Sequence, residues 1–370
     1  MGIRTYNIDD MEKPNIFRLT ATVIIAAFFC ILLCTCLLKP KNGIKIDPYY
    51  LTGTGENQDI IKSLFTLLEK EIPGTEEHFT VVREIANNYV RQKEFSVLIN
   101  FLTGRVNKNP KDPYNTYYLF LIAMAYMQEE AHPAAALYFN LIIKNYPDLT
   151  ISGESIHLAC LNHLITVVDN PEQQVWYYEE LISRFSGQID LGATYFLLAQ
   201  AYEQTGEWNS AIRAYTQYLP FVETNVPGFP NAYIYAKHLV DFYNSPKNWS
   251  YDNLNSLVTA LKNALDAGSY TRTEKIRAKV NFFARSWEQE ATDDAGMAEF
   301  NLSDFMRTSR IHYAQRLDAG SNANEAYLRT WGWSQYISTW YLYFRKIYFP
   351  ADPEIHGRWE WAGVYYGEKF

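Results

Sequence analysis

Residues 118–147 read YLFLIAMAYMQEEAHPAAALYFNLIIKNYP, and small and large apolar residues fall there in a fixed order. Ala123 is followed by Tyr126, Ala135, Phe139, Ile142 and Pro147, at offsets of 3, 12, 16, 19 and 24 residues. These offsets suit two antiparallel helices, with small side chains where the backbones approach and rings filling the space beside them. Pro147 ends the second helix, because proline has no N–H to donate and its ring clashes one turn back.

Further copies stand on either side. Residues 191–218 read LGATYFLLAQAYEQTGEWNSAIRAYTQY, where Ala199, Tyr202, Ala211 and Tyr215 match Ala123, Tyr126, Ala135 and Phe139. Gly206 falls in the inter-helix turn, where glycine takes a positive φ at little cost. Glu223 stands where a closing proline belongs, with Pro220 three residues earlier. Toward the N-terminus, Ala86, Tyr89 and Pro110 hold the matching places, while Leu98 and Leu102 replace the small residue and the ring of the second helix. Ala86 and Ala123 are 37 residues apart and Ala123 and Ala199 are 76 apart, which predicts a hidden copy midway, at Cys160–Leu161. Its second helix starts at Pro171, a favoured first-turn residue.

This pattern resembles the tetratricopeptide repeat, a helix–turn–helix unit of about 34 residues. The resemblance implies an all-α fold, a solenoid of four to five helical hairpins over residues 57–225. In that family the first helix of each repeat builds a concave wall, and partners lie across it as peptides or helices. The inward positions implied here are Arg83, Asn87, Phe120, Met124, Phe196 and Gln200, with Met127 and Glu203 one turn further. Arg83 and Asn87 resemble part of a carboxylate clamp, but Leu121 stands where a second asparagine is needed. A mixed apolar and polar groove suits a helix or an extended segment better than a C-terminal carboxylate.

Ahead of the repeats, residues 1–18 form a short tail and residues 39–56 a Gly- and Pro-punctuated linker. Between them, Leu19–Leu38 holds no charged residue and is bracketed by Arg18 and Lys39. Twenty residues at helical rise reach about 30 Å, the thickness of a bilayer core. The expectation is a transmembrane helix or signal-anchor, placing the protein in the inner membrane as a single-pass chain with its C-terminal domain in the periplasm or outside. Leu33-Cys34-Thr35-Cys36 loosely resembles a bacterial lipobox, so the alternative is an outer-membrane assembly lipoprotein with Cys36 lipidated.

Residues 226–370 read as a helical extension with an aromatic-rich cap. A fifth, degenerate pair is expected at YIYAKHLVDFY and Leu254–Leu265, then helices at Arg272–Glu290, Met297–Leu317 and Asn324–Tyr348. Strand alternation stands out only at Arg358–Tyr366. Trp333, Ile337, Trp340, Phe344 and Ile347 share one helix face. Trp331, Tyr341 and Tyr348 lie off that stripe, as a candidate docking surface.

A net charge of −8 argues against a nucleic-acid partner, whose affinity rests on Lys and Arg. The seven histidines are scattered, with no metal-ligand spacing, no phosphate loop and no nucleophile elbow. No catalytic residue, metal or cofactor is expected. The function implied is a membrane-anchored scaffold for protein partners in an envelope or periplasmic complex. The nearest resemblance is to single-span bacterial tetratricopeptide proteins, such as secretion-translocon accessory subunits and the collar proteins of spirochaete periplasmic flagella. A further alternative is an enzyme of envelope polysaccharides that stacks sugars on the C-terminal aromatics.

Overall fold

The computed structural model describes residues 45–288 and 300–369. The chain divides into two compact units, residues 1–189 and 190–370.

In the first unit, a 3-10 turn at Pro48–Tyr50 leads into α1 (Glu56–Leu68), α2 (Glu76–Gln92), α3 (Phe95–Lys108), α4 (Asn115–Gln128), α5 (His132–Asn145), α6 (Ile156–Val167) and α7 (Pro171–Phe185). A two-stranded hairpin, β1 (Thr150–Ile151) with β2 (Glu154–Ser155), joins α5 to α6. Each helix packs on the next from α1 to α7, and α4 also touches α6. Starts are set by side-chain caps: Thr75, Ser155 and Asn170 each accept from the backbone N–H three residues on. Pro171 occupies the first turn of α7, as expected.

The small residues of the repeat lie at zero exposure where helices meet: Ala86, Ala123, Cys160 and Ala135 in this unit, Ala199 and Ala211 in the other. The inter-helix turns repeat as well. Lys93, Glu130 and Gly206 all take left-handed backbone, with φ of 59°, 57° and 79°. In each case the next residue donates its N–H back to a tyrosine carbonyl: Glu94 to Tyr89 (2.9 Å), Ala131 to Tyr126 (2.9 Å) and Glu207 to Tyr202 (2.8 Å). This is the six-to-one closure that ends many helices. The three turns keep the spacing of the three alanines. The α6–α7 pair turns differently, through the Asn170 cap.

The second unit is where the all-α expectation fails. It begins with the hairpin α8 (Leu191–Thr205) and α9 (Trp208–Tyr218), followed by α10 (Ala232–Asn244), α11 (Leu254–Asp266), α12 (Tyr270–Ile276) and α13 (Leu302–Thr308). Its strands are β3 (Phe283–Ser286), β4 (His312–Tyr313), β5 (Glu325–Trp331), β6 (Trp340–Lys346) and β7 (Trp359–Tyr366). They form one five-stranded sheet in the order β3-β7-β6-β5-β4, with β3 parallel to β7 and the other pairs antiparallel.

The helices expected at 272–290, 297–317 and 324–348 are therefore corrected to short helices and strands, and only the strand at 358–366 was legible. The apparent stripe from Trp333 to Ile347 also contains a period-2 pattern. Ala326, Leu328 and Thr330 pair across with Phe344, Leu342 and Trp340, and all are buried on one face. A bulge at Tyr343/Phe344 brings Phe344 opposite Trp361. Aromatic and β-branched residues at this density favour a pleated, half-buried surface over a helix. Gly332, at φ 83°, divides the stretch, and a Cβ there would meet the Arg310 carbonyl at 2.6 Å.

The inner sheet face packs on Leu257, Leu261 and Leu265 of α11, Ile276 of α12 and Leu302 of α13. A second cluster joins Ile212 of α9 and Phe242 of α10 to Trp249, Ala278, Ile347 and Phe349. The degenerate fifth pair is also corrected. Ala236 is fully buried, but α10 packs on α9, while α11 packs on α12 and β7. The link between them carries Trp249 into the core, where its indole donates to the buried Glu360 carboxylate at 2.8 Å. Arg345 donates to the other oxygen at 2.9 Å.

The expected span Leu19–Leu38 and the alternative lipid site Cys36 lie outside the described residues. Among the described residues no helix is long and apolar enough to cross a membrane. The single-pass inner-membrane placement is corrected on that finding and not carried forward.

Candidate partner-binding cleft

The second unit contains a cleft of about 290 Å³ walled by α8, α9, α10 and the Tyr348–Pro350 segment after β6. Its position follows from local sequence. Asp190 caps α8 by accepting from the Ala193 N–H at 3.0 Å. Gly192 lets the Phe221–Thr224 loop press against that first turn, since a Cβ would meet Thr224 and Phe221 at 2.5 and 2.7 Å. Gly206 then closes α8 and turns the chain into α9, so Glu203 and Trp208 face the same space.

Glu203 lies on the floor. Its carboxylate accepts from the Tyr235 hydroxyl, at 3.1 and 3.0 Å to the two oxygens, and from the Tyr215 hydroxyl. Gln200 donates in turn to the Tyr215 oxygen. Burial raises the Glu203 pKa above the ordinary carboxylate range, and the two tyrosine hydrogen bonds offset part of that rise. Burial also pushes the Tyr215 and Tyr235 hydroxyls up, so both remain donors. No ion pair among the described residues involves Glu203. Around this carboxylate stand Trp208, Tyr235, Leu239, Tyr348 and Pro350, with Phe349 buried against Phe242 at 4.8 Å between ring centres. Tyr348 is 76% exposed.

Of the expected groove residues, Gln200 and Glu203 belong to this network. Phe196 is fully buried beneath it, its ring against Tyr215, Tyr218 and Phe229 at 5.1–5.5 Å, so it supports the cleft without lining it. In the first unit Phe120 and Met124 are buried at 5% and 3% and are corrected to core. A mostly apolar α4 is covered on all sides by α3, α5 and α6. Arg83, Asn87 and Met127 are half-buried, Arg83 with its guanidinium 5.4 Å from the Phe79 ring centre.

The expected docking trio separates. Tyr348 lines the cleft with Glu203. Trp331 is 41% exposed at the end of β5, stacked on His312 at 5.9 Å. Tyr341 is corrected to a buried position, 5% exposed, because strand geometry turns it to the outer sheet face beneath Trp287. Tyr215 was visible as the repeat match of Phe139. Tyr235, Trp208 and Leu239 were missed, for their only signal is an i,i+4 pair where the repeat has faded.

Other features offer less. A wider cleft beside α10 is lined by Lys237, His238, Arg277 and Lys279, but Lys237 pairs with Asp241, and both Arg277 and Lys279 pair with Glu274. Cys160 is fully buried, and burial pushes its thiol up, so it is not a reactive thiol. Among the described residues no group of three or more His, Cys, Asp or Glu is placed to hold a metal.

No protein-family model matches the chain, and no curated protein matches it.

Proposed function

We propose that this protein is a binding scaffold of tetratricopeptide type, without catalytic activity of its own, that holds a protein partner in the cleft between α8, α9, α10 and Tyr348. The observation that carries the reading is the convergence of an unpaired carboxylate and several partly exposed rings on one small concavity. Rings of this kind dominate interface hot spots because they bury large area at low entropy cost. The recurring left-handed turns at Lys93, Glu130 and Gly206 support the repeat assignment. The rigid hairpin beneath the cleft preorganises it, which lowers the ordering cost of binding.

The test is photo-crosslinking in the producing cells, with benzoylphenylalanine at position 348 or, as a control, at position 336. Tyr336 is 96% exposed and does not line the cleft. The expected result is a discrete protein adduct from position 348 and none from position 336. Equal labelling from both, or none from either, overturns the reading.

A further inference from the structure

We propose that the cleft accepts one lysine side chain of a peptide partner, its ammonium seated on the Glu203 carboxylate among the surrounding rings. This rests on reading the cleft as the partner site. Three features specify the cation. Glu203 is half-buried and takes hydrogen bonds only from neutral hydroxyls, which leaves its charge uncompensated. A carboxylate offers about four acceptor positions, so room remains for an N–H donor. A cation brought there offsets the desolvation already imposed on the acid. Trp208, Tyr235 and Tyr348 present rings to the same space, and cations are drawn to ring faces. Leu239 and Pro350 supply apolar wall for a four-carbon stem, whose methylenes bury while the charged end finds its partner.

Size and geometry select lysine. A volume of about 290 Å³ is at the bottom of the range for small-molecule pockets, which suits one long side chain better than a cofactor. Arginine is disfavoured because its fork binds best to two free carboxylate oxygens, and Tyr235 already bridges both.

The experiment uses the purified full-length protein and fluorescein-labelled peptides, acetylated and amidated, with a single lysine between two leucines. Matched peptides carry norleucine or arginine at the central position. Saturable binding of the lysine peptide is expected, with the norleucine peptide at least tenfold weaker and the arginine peptide weaker than lysine. Glu203→Gln, which keeps the shape and the tyrosine contacts, should remove most of the lysine preference. Tyr348→Ala, at an exposed site, should weaken all three. Equal affinity for lysine and norleucine, or an unchanged lysine preference in Glu203→Gln, overturns the proposal. If no peptide binds while position 348 still crosslinks a partner, the lysine inference falls and the scaffold reading stands. If crosslinking fails as well, both fall.

Discussion

His157 is held neutral by its neighbours. Its Nε2–H donates to the Tyr146 carbonyl at 3.1 Å, and its Nδ1 accepts from the Arg184 guanidinium at 2.6 Å. A proton on Nδ1 would face that guanidinium, and burial lowers the pKa further. His163 is stacked on Phe139 with 5.1 Å between ring centres, and burial lowers its pKa to about 4. Both folded values lie below the unfolded one, near 6.5, so the fold favours the neutral form. The stability this contributes is complete above pH 6.5 and is lost as pH falls toward 4. Each fully coupled histidine contributes a slope of about 1.4 kcal/mol per pH unit, so His163 alone costs about 3 kcal/mol by pH 4. Denaturant titrations from pH 7 to pH 4 should show this loss, with a shallower slope in His163→Gln. An identical slope would remove His163 from the account.

At the scale of elements, three turns share one backbone conformation but not one residue type. Gly206 adopts the left-handed cap freely, whereas Lys93 and Glu130 carry a Cβ into a region that disfavours it. Glu130→Gly should therefore stabilise the α4–α5 hairpin, or at worst leave it unchanged, by up to about 1 kcal/mol, and Gly206→Ala should destabilise α8–α9 by a similar amount. Midpoints of chemical unfolding for the two variants should move in opposite directions. Movement in the same direction would mean that the turns do not determine how the hairpins close. The repeat was legible because small residues at fixed offsets have one cheap use, at a close helix crossing. The cleft was half legible: Glu203 and Gln200 followed from the repeat phase, but Tyr235 sits on a helix whose partner could not be read.

At the scale of the whole molecule, each unit has its own core, helical in the first and helix-on-sheet in the second. Phe344 is fully buried between Ala326 and Trp361. Phe344→Ala should cost about 3–5 kcal/mol, and hydrogen exchange read by mass spectrometry should rise across β5–β7 and α11 while α2–α5 keep their protection. Exchange rising equally in both regions would show that the two units unfold as one. The sequence by itself determined the helical hairpins of residues 76–218, because the 3.6-residue period and the alanine spacing are local properties that survive any packing. It could not determine the C-terminal sheet. Trp340 and Phe344 satisfy a helix stripe and a strand alternation equally well, and their partners Leu328, Ala326 and Trp361 are distant in the chain. Only tertiary pairing decides between those periods, since a strand's backbone hydrogen bonds are completed by another strand and not by its own residues. The cleft has the same origin: Glu203 and Tyr348 meet because the sheet returns the chain to the α8–α9 hairpin.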